Sequence, residues 1–193
     1  MSRKIVVING HPNKESFNFG ITEAYLAGAK KSGAEIKTVY ISELNFNPNL
    51  QFGYQKRIDL EQDLLTAWDK ILWADHLVWI HPVWWGGLPA ITKGFIDRLF
   101  LPGLAFQYRE NSIWWDKLLK GRTAHIITTL DQPGWYYRLM FGRPSVNQLK
   151  RSTLQFCGIT PVKVTYVGII KNSTSAQRQK WLNSIETLGY KNK

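Results

Sequence analysis

Apolar residues fall into two periods along the chain. Segments of strand length, rich in apolar and β-branched residues, occupy residues 4–9, 36–41, 77–81, 122–129 and 162–170, and the first reads as a strand covered on both faces. Between them the spacing changes to three and four residues: Phe17, Ile21, Ala24, Tyr25 and Ala29; Leu60, Leu64, Trp68, Ile71 and Leu72; Ile91, Phe95 and Leu99; Leu149, Thr153, Leu154 and Cys157; Trp181, Ile185 and Leu188. Each set marks one face of a helix. Punctuation agrees with the periods. Ser16 suits an N-cap for a helix running to about Lys31, where Gly33 stops it, and the run 59–62 has capping-box character. Pro82 ends the third strand at about His81, and Pro89 suits the first turn of the next helix. Residues 43–56 hold Pro48 and three asparagines and read as an irregular surface excursion. Residues 103–120 read mostly as loop, and 130–145 as a loop interrupted by a short turn of helix.

Strands alternating with helices predict an α/β protein with a doubly wound, five-stranded parallel sheet in the flavodoxin-like order 2-1-3-4-5. In that order the loops after strands one, three and four meet at the carboxyl edge of the sheet, where open sheets take ligands. The 193 residues amount to about one domain burying roughly 70% of its unfolded surface. Neither a signal peptide nor a membrane span is expected, because apolar runs are short and the one near residue 80 is broken by Asp75, His76 and His81. Cys157 is the one cysteine, so no intrachain disulfide can form, which suits a reducing, cytoplasmic setting.

Charge changes the picture only towards the end. The net +11 arises wholly in residues 117–193, with 13 Lys/Arg against 2 Asp/Glu, whereas residues 1–116 hold 12 of each. A basic last third attracts nucleic acid, an anionic surface or a phosphorylated small molecule, or simply keeps the protein soluble. Zinc-finger spacing and an RNA-binding signature are absent, so nucleic acid is the less favoured partner. His11, His76, His81 and His125 lack metal-site spacing, and no metal is expected. Arg138, Arg143, Lys150 and Arg151 form plain basic surface or draw in the phosphates of a nicotinamide nucleotide.

The chemistry concentrates in residues 75–100. Pro82, Val83, Trp84 and Trp85 offer flat apolar surface and free backbone donors, and Gly86 and Gly87 permit a turn that bulkier residues resist. A planar heteroaromatic ligand fits such a surface; an aromatic turn packing on a second subunit is the alternative. The loop at residues 10–18 opens a helix amino terminus, which favours phosphate, though it has neither the dinucleotide glycine spacing nor a Walker loop.

Residues 81–106, ending in Arg98-Leu-Phe-Leu-Pro-Gly-Leu-Ala-Phe106, resemble the flavin-contacting segment of the flavodoxin-like NAD(P)H:quinone oxidoreductases, the DT-diaphorase family and its shorter bacterial relatives. The resemblance extends over roughly residues 4–170. It implies a flavin phosphate loop in His11, Ser16, Phe17 and Asn18, a ring site in Pro82, Val83, Trp84 and Trp85, and close approach at Gly86. Thr128 and Thr129 match the start of the family's Thr-Thr-Gly-Gly turn, which here continues Leu130-Asp131. Tyr136 or Tyr137 corresponds to the family's catalytic tyrosine, while no histidine follows His125 to match its partner. Activity implied is two-electron, ping-pong reduction of a quinone or similar acceptor by NAD(P)H in a homodimer. Of the cofactors, FAD is favoured over FMN because residues 46–54 resemble the part near the adenine end of FAD-binding members. Two other readings stand beside it: an ancillary regulatory flavoprotein attached peripherally to a potassium efflux transporter, and a basic nucleic-acid binder.

Overall fold

The computed structural model describes residues 2–191. The five segments pair in parallel as β1 (Lys4–Asn9), β2 (Glu35–Tyr40), β3 (His76–Pro82), β6 (Thr123–Leu130) and β7 (Val162–Gly168), in the order β2-β1-β3-β6-β7. This is the expected 2-1-3-4-5 order of the flavodoxin-like fold. β3 is buried at every position, as a central strand covered on both faces must be. Register carries the site: Asn9 pairs with Ile80, and Pro82 with Thr129, so the ends of β1, β3 and β6 lie side by side.

Helices cover both faces. α1 (Phe17–Lys31) and α6 (Ser175–Tyr190) pack over Ile5, Val7, Val78, Ile80, Ile127 and Val167. Their backbones cross so closely that a Cβ on Gly28 would meet Glu186 O, and one on Gly189 would meet Tyr25 O. On the other face α2 (Gln62–Trp73) and α3 (Ala90–Leu99) bury Leu64, Trp68, Ile71, Phe95 and Leu99 against Val6, Ile8, Trp79 and Ile126. No helix among the described residues is long and apolar enough to cross a membrane.

Three local expectations are corrected. The capping box at 59–62 does not form: Glu61 is the N-cap of α2 without a side-chain cap, because its carboxylate accepts instead from the Arg98 guanidinium at 3.1 and 2.8 Å and from Asn47 N–H at 3.0 Å. Residues 103–120 contain an antiparallel hairpin, β4 (Phe106–Tyr108) with β5 (Trp115–Lys117). It is anchored by the Trp115 ring stacked 4.2 Å from Phe156, where Trp115 Nε1 also donates to Phe156 O at 2.8 Å. The helix expected from 147 starts earlier, as α5 (Pro144–Leu149), and widens into a π-helical turn over Lys150–Gln155. A short α4 (Gly134–Leu139) precedes it.

The excursion after β2 begins with a 3-10 turn at Ile41–Glu43 and runs down α3. Pro48 lies against Gly94, where any Cβ would collide with it. Arg98, 1% exposed, donates to Asn47 O and, at 3.2 Å, to Asp59 O. The start of the excursion touches the first loop through the exposed Lys14–Glu43 pair.

Candidate active site

His11, Ser16, Phe17, Asn18, Pro82, Val83, Trp84 and Thr129 line one cleft of about 160 Å³ at the carboxyl ends of β1, β3 and β6, joined by Leu130, Asp131 and Ile170. Hydrogen bonds brace the first loop internally. Asn9 Oδ1 accepts from His11 N–H at 2.8 Å, His11 Nδ1 from Asn13 N–H at 3.0 Å, and Asn13 Oδ1 from Glu15 N–H at 2.9 Å. Because its Nδ1 accepts a backbone proton, the neutral His11 ring carries its hydrogen on Nε2. Burial lowers the His11 pKa, opposed by that hydrogen bond, so the neutral form prevails.

At the amino terminus of α1 the expected cap is in place but does not cap. Ser16 has the extended backbone of an N-cap, yet its side chain accepts no helix N–H, and its Oγ is buried without a partner. Asn18, 2% exposed, accepts from Thr129 Oγ1 at 3.0 Å through Oδ1, while its Nδ2 has no partner. First-turn N–H groups have no acceptor within their own helix. Two side-chain donors without a partner among the described residues therefore stand at the positive end of a helix dipole, which is the chemistry of a phosphate cradle.

Across the cleft, the loop after β3 closes as a tight turn: Trp84 N–H donates to Gly87 O at 3.1 Å and Gly87 N–H to Trp84 O at 2.8 Å. Trp85 (φ 50°) and Gly86 (φ 75°) occupy its two central positions, so an aromatic residue holds a left-handed conformation costing of order 1 kcal/mol. The Trp85 side chain is wholly exposed; Trp84, touching His11 edge-on at 5.5 Å, is the indole that lines the cleft. Val83 N–H donates to Thr129 O at 3.0 Å, tying this loop to the end of β6.

Of the remaining sequence candidates, Thr128 is fully buried and its Oγ1 donates to His81 O at 3.0 Å, so it supports the strand end from beneath. Tyr137 is also fully buried. Its hydroxyl lies 3.0 Å from Gly86 O and 2.8 Å from Ser145 Oγ, and accepts from Ser145 N–H at 3.0 Å. Burial raises its pKa, and the protonated phenol latches the Gly86 turn to the start of α5. Tyr136 stands half-exposed, in edge contact with Trp135 and Phe141. Asp131, not anticipated as a site residue, accepts from Lys171 N–H at 2.8 Å through Oδ1; its signal was the departure from the family's Gly-Gly after Thr129.

Beneath this loop, His81 is fully buried with both ring nitrogens unpartnered, and burial pushes its pKa down to about 3. The folded ring is therefore neutral, whereas in the unfolded chain it titrates near 6.5. As pH falls below 6.5 the unfolded state takes up a proton that the folded state refuses until about 3, so stability declines across that window. His81→Phe removes an unsatisfied polar group and should add about 1–3 kcal/mol at pH 7, with more gained at pH 5. Urea midpoints measured from pH 7 to 4 should fall less steeply in the variant, His76, also near 3, keeping part of the slope. Parallel curves would show that His81 does not carry the acid sensitivity.

The family model for the flavodoxin-like fold (Flavodoxin_2) matches residues 3–188. A crystal structure from Streptococcus mutans UA159, Smu.1420, is similar with a TM-score of 0.85 and 34% identity, covering 97% of this chain and 98% of that one. NAD(P)H dehydrogenase (quinone) 1 of Rattus norvegicus is 24% identical over 215 residues, which is 96% of this chain and 77% of the relative. An uncharacterized NAD(P)H oxidoreductase of Haemophilus influenzae is 28% identical over 170 residues, 86% of this chain and 83% of the relative. From its first strand to its last helix, the chain belongs to the flavodoxin-like NAD(P)H:quinone oxidoreductase family.

Proposed function

We propose that the protein is a one-domain, flavin-dependent NAD(P)H:quinone oxidoreductase of the cytoplasm, in which nicotinamide nucleotide and acceptor use the same opening in turn. The observation that carries this is the pair of side-chain donors at the α1 terminus with no partner among the described residues, Ser16 Oγ and Asn18 Nδ2, facing an indole and two apolar loop residues across one cleft. A flavin needs both features: anion donors for its phosphate and flat apolar surface for its ring. Bound there, it supplies hydride acceptance and donation that no protein side chain can.

This chain's residues do the rest. His11, Ser16, Phe17 and Asn18 hold the phosphate end, and Pro82, Val83 and Trp84 seat the ring, with Thr129 fixing Asn18. Thr128, Trp85 and Gly86 shape the loops that make this surface. The half-exposed Tyr136 is the proposed proton donor, in place of the family histidine that the chain lacks. Tyr137 is a positioning residue, since its hydroxyl is already committed to Gly86 and Ser145. The resemblance of residues 46–54 favours FAD over FMN. A homodimer would complete the site, and the exposed Tyr108, Ile113 and Trp114 of the hairpin region supply apolar surface for it.

The deciding experiment is the visible spectrum of the purified protein, with the released chromophore identified by mass. A yellow protein bleached anaerobically by NADH or NADPH, and reoxidised by a quinone, is expected; a colourless protein that takes up neither FAD nor FMN would sink the reading. Tyr137→Phe should then cost about 1–2 kcal/mol of stability and loosen flavin binding severalfold while kcat with flavin saturating stays within about twofold. Tyr136→Phe should lower kcat and leave flavin retention unchanged. The reverse split would exchange their roles.

A further inference from the structure

Among the described residues that line the cleft, Asp131 carries the one formal charge. No Lys or Arg is present there, and the first loop holds His11 as a neutral ring, its Nδ1 accepting from Asn13 N–H. The ion pairs of the described residues leave the Asp131 carboxylate out. Lys171 meets it only through a backbone N–H, which donates to Oδ1 at 2.8 Å.

Packing does not account for this charge. Where the family's turn continues with two glycines, the chain continues with Leu130 and Asp131. Leu130 has a place in the core, buried in a cluster with Tyr137 and Val146. Asp131 is exposed, and its bond to Lys171 N–H asks only for an oxygen, which an asparagine side chain would supply without charge. What asparagine could not supply is a negative potential inside the cleft. We propose that the Asp131 carboxylate lowers the reduction potential of the bound flavin, by opposing the negative charge that the ring gains when it accepts hydride.

The proposal rests on the flavin reading given above. A hydride brings two electrons and one proton, so the ring that accepts it gains one net negative charge, and fixed charges nearby tune that step. Pro82, Val83 and Trp84, the proposed ring seat, line the same cleft as Asp131. A ligand filling that space displaces water from the carboxylate and so strengthens its field. Phosphate is charged in both oxidation states of a flavin, so its repulsion by Asp131 weakens both forms alike and cancels from the potential. Only the change of charge on the ring survives in the difference. A ring held at lower potential accepts hydride from NAD(P)H less readily and passes it on more readily, which suits acceptors that are hard to reduce.

The test is the two-electron midpoint potential at pH 8 of the flavin-loaded protein, of Asp131→Asn and of Asp131→Glu, each equilibrated with a reference dye, with oxidised flavin titrated in parallel. Asp131→Asn keeps an oxygen for Lys171 N–H and should hold its melting temperature. It should favour reduced over oxidised flavin about fivefold more than the unaltered protein does, a rise of about 20 mV in potential. The difference should shrink in high salt, and Asp131→Glu, which keeps the charge, should stay near the unaltered protein. An unmoved potential in Asp131→Asn, equal tightening of both oxidation states, or the same rise in Asp131→Glu would each overturn the proposal and leave the flavin site standing. A protein that takes up neither FAD nor FMN would instead refute the flavin reading, and this proposal with it.

Discussion

Ser16→Ala combined with Asn18→Asp is expected to strip the flavin from the protein while leaving the fold intact. Each change removes one donor that has no partner within the chain, and a hydrogen bond to a charged acceptor contributes about 1.5–3 kcal/mol. Together they should raise the flavin dissociation constant by roughly 10²–10⁴-fold, the new carboxylate adding repulsion towards phosphate. Aspartate is chosen because its oxygen still accepts from Thr129 Oγ1, as Asn18 Oδ1 does at 3.0 Å. The loop tie survives, and the apoprotein melting temperature should stay within a few degrees. The measurement is fluorescence titration of apoprotein with FAD and with FMN. Retention of flavin at nanomolar concentration by the double variant would place the phosphate elsewhere and refute the cradle.

Much of this site was legible because each part is announced by a residue type with few alternatives. Segments expected to end at Asn9, about His81 and Thr129 mark three strand ends to within a residue, and sheet order brings them together. Ser16 was readable as an N-cap by position; that its oxygen is withheld from the helix was not, since this depends on what the folded loop leaves in reach. Trp84 and Trp85 look equivalent in sequence, yet the turn sends one indole to the cleft and the other to solvent. Tyr136 and Tyr137 divide in the same way, with one half-exposed against Trp135 and Phe141 and one latched to Gly86. Neighbours on a turn part company because direction is set by φ and ψ, which composition does not encode.

Misreadings elsewhere share a cause, the competition of tertiary partners with local ones. Strands of three residues, such as β4 and β5, are too short for alternation to register, and the hairpin exists because Trp115 finds Phe156. Glu61 had the sequence context of a helix start, but a guanidinium from α3 outcompetes the backbone for its carboxylate. The depth of Arg98 had no local signal either: a charged residue of α3, it is one of the most deeply buried side chains among the described residues.

That burial makes Arg98 the position where substitution should cost most in stability. Arg98→Ala leaves Asn47 O and Asp59 O without this donor and deprives Glu61 of its cation; with the guanidinium buried but the carboxylate 32% exposed, the cost should lie near the lower end of the range for a buried pair, about 3 kcal/mol. At roughly 2–4 °C per kcal/mol for a chain of this size, the melting temperature should fall by at least about 6 °C. Arg98→Lys should recover only part, since one ammonium cannot match a planar fork that reaches a carboxylate and two carbonyls. Acid adds a second signature. Burial would raise the Glu61 pKa, but hydrogen bonds from Asn47 and Arg98 outweigh it and hold the carboxyl below its usual 4.5. A carboxylate held low contributes stability that is complete above 4.5 and is lost as pH falls through the folded value, so Arg98→Ala should flatten that part of the profile. Urea titrations at pH 7 and pH 3.5 decide it. If Arg98→Ala cost no more than Glu61→Gln, about 1 kcal/mol, and left the acid slope unchanged, the excursion would be held by Pro48 packing on Gly94 rather than by the guanidinium.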